Sequence, residues 1–150
     1  MPLSALASLA GSWTATYKLF LEPPTEFESP STATVTPVLD GRFVRVDYTW
    51  SHDGKGSAGS LLVGHEKATG IATIAWIDNW HNSDKILISR GTLGDDGAVD
   101  VRGSYAAPEG PDWGWRTRLE PGADGWSMLM FNVSPDGEEY PAVVARYQPS

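Results

Sequence analysis

The sequence predicts an all-β fold, a single antiparallel up-and-down β-barrel of about ten strands. Three observations predict it. Apolar and polar residues alternate with a period of two almost throughout. Turn signals interrupt the alternation at short intervals: Asp40-Gly41, Asp53-Gly54, Thr69-Gly70, Asp96-Gly97, Pro108 to Pro111, Pro121 to Gly125 and Pro135-Asp136-Gly137. No segment carries a helical period over three turns. Short connections make successive strands antiparallel, and a meander that closes on itself has no free edges.

In chain order, Ser4 to Ala10 suits one helical turn. Strands are expected near 11–20, 31–39, 42–52, 57–65, 71–78, 84–93, 98–105, 113–120, 126–133 and 139–148. Pro37 and Pro141 fall inside strands and predict a bulge or an edge there. Glu22 to Pro30 holds three prolines and reads as a long loop. Gly11-Ser12-Trp13 heads the first strand. Small residues before the Trp let the chain turn inward, so that the indole can plug one barrel end and donate its N–H to a carbonyl. Val143 to Tyr147 reads as the last strand. If it closes against the first, Arg146 can lie over Trp13 as a cation–π partner. The alternative is an ordinary core Trp and a surface Arg.

The chain of 150 residues is read as one domain, 1–150, long enough to bury a core. It is 41% apolar, with seven Trp and five Tyr, which is a globular composition. A net charge of −8 and the lack of a basic run argue against nucleic acid and anionic membranes. Without Cys there is no disulfide framework and no thiolate metal site. No signal peptide or membrane-spanning apolar run is legible, so a cytoplasmic protein is expected.

Up-and-down topology assigns each loop to one end. With the start of the first strand called the bottom, 40–41, 65–70, 94–97 and 121–125 are tight bottom turns. The top holds 21–30, 53–56, 79–83, 106–112 and 134–137 and is the expected mouth. Alternation turns Val44, Val46, Tyr48, Trp50 and His52 inward on the third strand. It does the same for Ile74, Trp76 and Asp78 on the fifth, with Trp80 just beyond, for Val99, Val101 and Tyr105 on the seventh, and for Trp113 and Trp115 on the eighth. Strands four and nine are apolar on both faces, so Met128 and Met130 can point either way.

The candidate ligand-binding residues are Tyr17, Tyr48, Trp50, Trp76, Asp78, Trp80, Tyr105 and Trp113. They supply large apolar area with a few hydrogen-bonding tips; the alternative is that they fill the barrel. Ten strands enclose more than the eight-strand size that side chains just fill, which favours some cavity. Asp78, His52 and His81 are the catalytic candidates. A carboxylate facing an aromatic cavity is expected to have a raised pKa and to act as a base or grip a polar group; otherwise Asp78 is a solvated residue opening a turn. His52 and His81 fall at the top, about 10 Å apart by strand spacing, and either flank the mouth or sit on loops. His65 falls at the bottom. No metal site and no cofactor is therefore expected, neither zinc nor haem. There is no phosphate loop, no His-Glu-x-x-His and no Gly-x-Ser-x-Gly.

Several short stretches recur together in one known group: Leu9 to Trp13, Leu39 to Phe43 with Asp47-Tyr48, Leu61 to Gly64 with Lys67-Ala68-Thr69, Trp76-Ile77-Asp78, and Ser134 to Tyr140. In order and spacing the chain resembles the bacterial domain-of-unknown-function family 1579, a calycin-like group related to lipocalins and fatty-acid-binding proteins. The resemblance implies a β-barrel with an internal cavity and implies no reaction. Three features depart from related patterns. His65 stands where Tyr commonly follows Gly64. Tyr140 to Ser150 lacks the His that nitrobindin-like barrels use for haem. No helix follows the last strand as in lipocalins. The leading expectation is a lumenal binder of a small, largely apolar, aromatic or lipid-like molecule. One rival is an enzyme of the same fold doing acid–base isomerisation or cyclisation. Another is a filled barrel whose outer apolar face pairs with a second copy as a homodimer.

Overall fold

Tight turns cut the alternating sequence into ten strands. The computed structural model describes residues 2–22 and 25–150. After a single turn of helix, α1 (Ser4–Ala7), come β1 (Gly11–Phe20), β2 (Glu26–Val38), β3 (Phe43–His52), β4 (Lys55–His65) and β5 (Ala72–Asp78). They are followed by β6 (Leu87–Leu93), β7 (Val99–Tyr105), β8 (Trp113–Pro121), β9 (Trp126–Val133) and β10 (Glu139–Pro149). Each strand pairs with its sequence neighbours, and β1 closes on β10 with Tyr17 opposite Ala145, giving a closed antiparallel barrel. Asp53 and Gly54 join β3 to β4 with φ of 52° and 73°, the left-handed pair that a two-residue hairpin requires.

Two expectations on the strands are corrected, the start of β2 and the start of β6, while Pro37 takes the edge alternative and Pro141 the bulge. β2 begins at Glu26, so most of the loop expected over 21–30 is strand, while Pro23 and Pro24 lie outside the described residues. Pro30 is tolerated because it pairs with Thr16 of β1 but lies before the β2–β3 ladder, which spans Ala33 to Val38. Pro37 is the mirror case: the β1–β2 ladder stops at Val35, so no bulge forms there. Each proline thus has a ladder on one flank only, where a missing N–H is tolerated. Pro141 does mark a bulge, between Pro141 and Val143. β6 starts at Leu87, not 84, which lengthens the β5–β6 loop to 79–86.

The inward faces are those the alternation predicts. Val44, Val46, Tyr48 and Trp50 are buried on β3, and Ile74, Trp76 and Asp78 on β5. Leu61 and Val63 on β4, and Met128 and Met130 on β9, turn inward too. β2 contributes small residues, Ser29, Ser31, Ala33 and Val35. They leave room for the Tyr17 ring, which stacks on Trp50 at 4.8 Å.

The bottom is closed by α1 and two indoles. Leu3 and Leu6 are buried there. Trp13 donates its Nε1–H to the Leu9 carbonyl at 2.8 Å and meets Trp126 edge-on at 6.5 Å. Trp126 in turn stacks on Tyr147 at 4.2 Å. The expected cation–π pair is absent among the described residues. Arg146 alternates with Ala145 and Tyr147 onto the outer face and reaches Ser127 Oγ at 3.4 Å, so it cannot lie over an inward ring. Arg116 and Arg118 also face outward, as expected, and share Asp100 between them at 2.7 Å each. No helix among the described residues is long and apolar enough to cross a membrane.

Candidate functional site

The site is built where β5 ends. Alternation brings Trp76 and Asp78 to the inner face, and Asp78 then stops the strand. Its Oδ1 accepts the backbone N–H of Trp80 and of His81, both at 2.7 Å, the turn that a short acidic side chain favours. Its Oδ2 accepts the Tyr48 hydroxyl at 2.9 Å, and that hydroxyl accepts the Trp76 indole N–H at 2.8 Å. Tyr48 can lie this close to the wall because Gly59 stands opposite it on β4.

The turn folds residues 79–86 back over the barrel and drops His81 into the mouth. Its imidazole lies among four indoles, with centroids 4.7 Å from Trp80, 5.5 Å from Trp76 and Trp115, and 5.6 Å from Trp50. Trp76 and Trp115 stack on each other at 5.0 Å. The His81 side chain is only 10% exposed. Its buried Nδ1 faces Asp78 Oδ1 at 3.3 Å, a contact too long or bent for a full hydrogen bond.

Electrostatics correct one expectation. Burial alone would raise the Asp78 carboxyl, but the His81 ring and the N–H groups of His81 and Trp80 outweigh it and hold it below the ordinary Asp value. Asp78 is therefore a fixed carboxylate and not a base tuned upward. It is also buried, so it opens its turn without being solvated. Burial pushes the Tyr17 and Tyr48 hydroxyls well up, with the Asp78 charge adding to the effect. The Tyr17 hydroxyl and the Trp50 and Trp115 indole N–H groups are buried with no partner among the described residues.

Around this plug lie two clefts at the top end. One, of about 620 Å³, is walled by Trp80, His81, Leu87, Tyr105 and Trp115, with Lys85 and Asn132 among its polar residues. The other, of about 470 Å³, includes Tyr105, Trp113, Asn132 and Tyr140. Tyr105 and Asn132 belong to both and are joined by a 2.5 Å hydrogen bond from the hydroxyl to Oδ1. A third hollow, beside Asp47, Tyr48 and Asp78, lies largely on the outer wall of β2 to β5.

Of the residues expected to line a lumen, Trp80 and Tyr105 line the larger cleft and Trp113 the smaller. Tyr17, Tyr48, Trp50 and Trp76 are at most 2% exposed and line neither cleft. They fill the upper barrel as a floor, because a ten-strand interior with this many rings closes up by stacking. His52 lies at the top beside Phe27, 3.4 Å from Asp53, and lines neither cleft. His65 ends β4 at the bottom. No cluster of three or more His, Asp or Glu that could hold a metal ion occurs among the described residues.

Residues 3–148 match a family described as a protein of unknown function, DUF1579. The chain belongs to the DUF1579 family. No curated protein matches its sequence. The crystal structure of Rv2717c from M. tuberculosis is similar in fold, with a TM-score of 0.66 at 16% identity, covering 99% of this chain and 97% of that one. At that identity the likeness shows the barrel alone. The DUF1579 assignment agrees with the ordered stretches noted in the sequence, and it carries no reaction.

Several residues of the candidate site in this DUF1579 barrel, Trp115 and Asn132 among them, are missing from the sequence-derived candidates. Trp115 shares the inward parity of Trp113 and lies two residues deeper, so alternation carried its signal. Asn132 had none, because both faces of β9 read as apolar.

Proposed function

We propose that the protein binds a small, largely apolar, planar molecule in the cleft between the 79–86 loop and Tyr105, above a barrel filled with side chains. The observation that carries this reading is the cleft itself. Its 620 Å³ falls within the range of ligand pockets, and Trp80, Tyr105, Trp115 and Leu87 give it apolar walls with Asn132 as a polar anchor. The expectation of a lumenal ligand is thus moved upward, to the mouth. A second reading, acid–base isomerisation or cyclisation of such a molecule, is favoured by one observation: His81, backed by Asp78, lines the same cleft.

Titration with 1-anilinonaphthalene-8-sulfonate tests the binding reading. Saturable dye emission with quenching of Trp fluorescence is expected. Trp80→Ala and Tyr105→Leu should weaken it, while Leu62→Ser on the outer wall should not. A dye that binds without saturating, or that responds equally to all three substitutions, would show the cleft is not a site.

A further inference from the structure

The bottom of the larger cleft holds one polar group that the packing of the fold does not explain. His81 sits in the four-indole cage at 10% exposure, where an apolar ring would pack as well. Its two nitrogens differ. Nδ1 is buried and faces the Asp78 carboxylate at 3.3 Å. That carboxylate is fixed by the Tyr48 hydroxyl and two backbone N–H groups, so it cannot turn away. A negative charge at that distance favours the proton on Nδ1, which leaves Nε2 as the lone-pair nitrogen. Nε2 accepts from no partner among the described residues, and His81 lines the cleft. The edge of the ring left for a ligand is therefore an acceptor.

Its surroundings limit what can meet it. Trp115 walls the same cleft, 5.5 Å from the imidazole, and its own N–H is buried without a partner. Among the described residues no Asp or Glu lines the cleft; Asp78 lies behind the imidazole, and Lys85 is the charged residue of the lining. An acceptor in an aromatic slot matches a group that gives one hydrogen bond. A hydroxyl on a flat ring does so. An ether does not, and a carboxylate would set its own lone pairs against that of Nε2.

Resting on the binding reading above, we infer that the cleft selects a hydroxylated aromatic, a phenol or a planar enol, whose O–H donates to Nε2 of His81 while Asp78 holds the imidazole in the accepting tautomer. His81 is then the residue that touches the ligand, and Asp78 is a positioning residue. Lys85, at the rim, adds attraction for any negative charge that develops on the oxygen.

4-Nitrophenol and 4-nitroanisole, which differ only in the O–H, separate this inference from the reading it rests on. Titrations by Trp quenching are run with intact protein at a pH where free nitrophenol is protonated. The phenol is expected to bind roughly five- to tenfold more tightly than the methyl ether, the ratio one buried hydrogen bond gives. His81→Phe keeps a ring in the indole cage and should bring the ratio of the two affinities to about one, whatever it does to either affinity alone. Asp78→Asn should shrink the ratio without abolishing nitroanisole binding. Equal affinity of the two probes for the unaltered protein would overturn the hydroxyl inference and leave the cleft as a site. An unchanged ratio in His81→Phe would do the same. Failure of both probes to bind would overturn the binding reading too.

Discussion

Gly59→Ala tests whether the Tyr48 ring is as fixed as its partners make it. A Cβ on Gly59 would overlap that ring, with Cε1 only 2.8 Å away and Cζ and the hydroxyl closer still. A loosely held ring would swing aside. This one is held by the Trp76 N–H at 2.8 Å, by Asp78 at 2.9 Å and by Tyr17, parallel to it with ring centroids 6.2 Å apart. Overpacking by one methyl costs about 1–3 kcal/mol, and leaving either buried hydrogen-bond partner unpaired costs about 1–3 kcal/mol more. The ring cannot escape without giving up at least one bond, so the expected loss is about 3 kcal/mol. Urea unfolding followed by far-UV circular dichroism measures it, and Tm should fall by about 6–12 °C. Tyr48→Phe should not rescue, since Cζ and Cε1 remain in the way. Tyr48→Ala removes the overlap, so in that background Gly59→Ala should cost less than about 0.5 kcal/mol. Strict additivity of the two changes, or a loss under about 0.5 kcal/mol from Gly59→Ala alone, would refute the reasoning.

Trp13→Ala should destabilise by about 3 kcal/mol in the same assay, since it removes a packed indole and its bond to Leu9. Arg146→Ala should change stability by less than about 0.5 kcal/mol, and the double mutant should be additive because the two side chains lie on opposite faces. Asp78 titrates below its ordinary value in the fold, so its stabilising effect is complete above the unfolded Asp pKa and is lost as pH falls through the folded one. Asp78→Asn should therefore lower stability at neutral pH and flatten the acid limb of the stability profile. Burial pushes Tyr147 up to about 12, although its bond with Ser31 pulls the other way. Unfolded Tyr loses its proton first, so stability should fall as pH rises from about 10 towards 12. Ultraviolet titration should show Tyr17, Tyr48 and Tyr147 ionising only as the chain unfolds.

The barrel was legible because its determinants are local. Val44-x-Val46-x-Tyr48-x-Trp50 can present one apolar face only as a strand, and Asp53-Gly54 can only turn back sharply. Where the reading failed, the deciding fact lay outside the local alternation. Pro30 forbids a helix interior, but whether it forbids a strand depends on where the β3 ladder stops. Arg146 was placed over Trp13 by the closure of the ends, whereas the parity of β10 across its bulge sets its face. Asp78 was correctly turned inward, yet its charge state depends on two N–H groups from a turn that alternation does not describe. His81 shows the limit most plainly. It lies in a loop, where no period exists to say which way a side chain faces, and it became the centre of the aromatic cage. Trp50, Trp76 and Trp115 around it could all be turned inward by parity.

The pairing of β1 with β10 has a kinetic consequence. Every other ladder joins strands that follow one another in sequence, through connections as short as 53–54 and as long as 79–86. Those hairpins close small loops at little entropic cost and can form independently. The last seam brings Tyr17 to Ala145 and must wait until the sheet between them has curled. Until it does, the chain is an open sheet with two bare edges able to pair with other chains. Closure is thus the step of highest sequence separation, which places folding toward the millisecond-to-second end of the range. Substitutions that loosen the seam should therefore raise aggregation during refolding more than they lower the stability of the finished barrel.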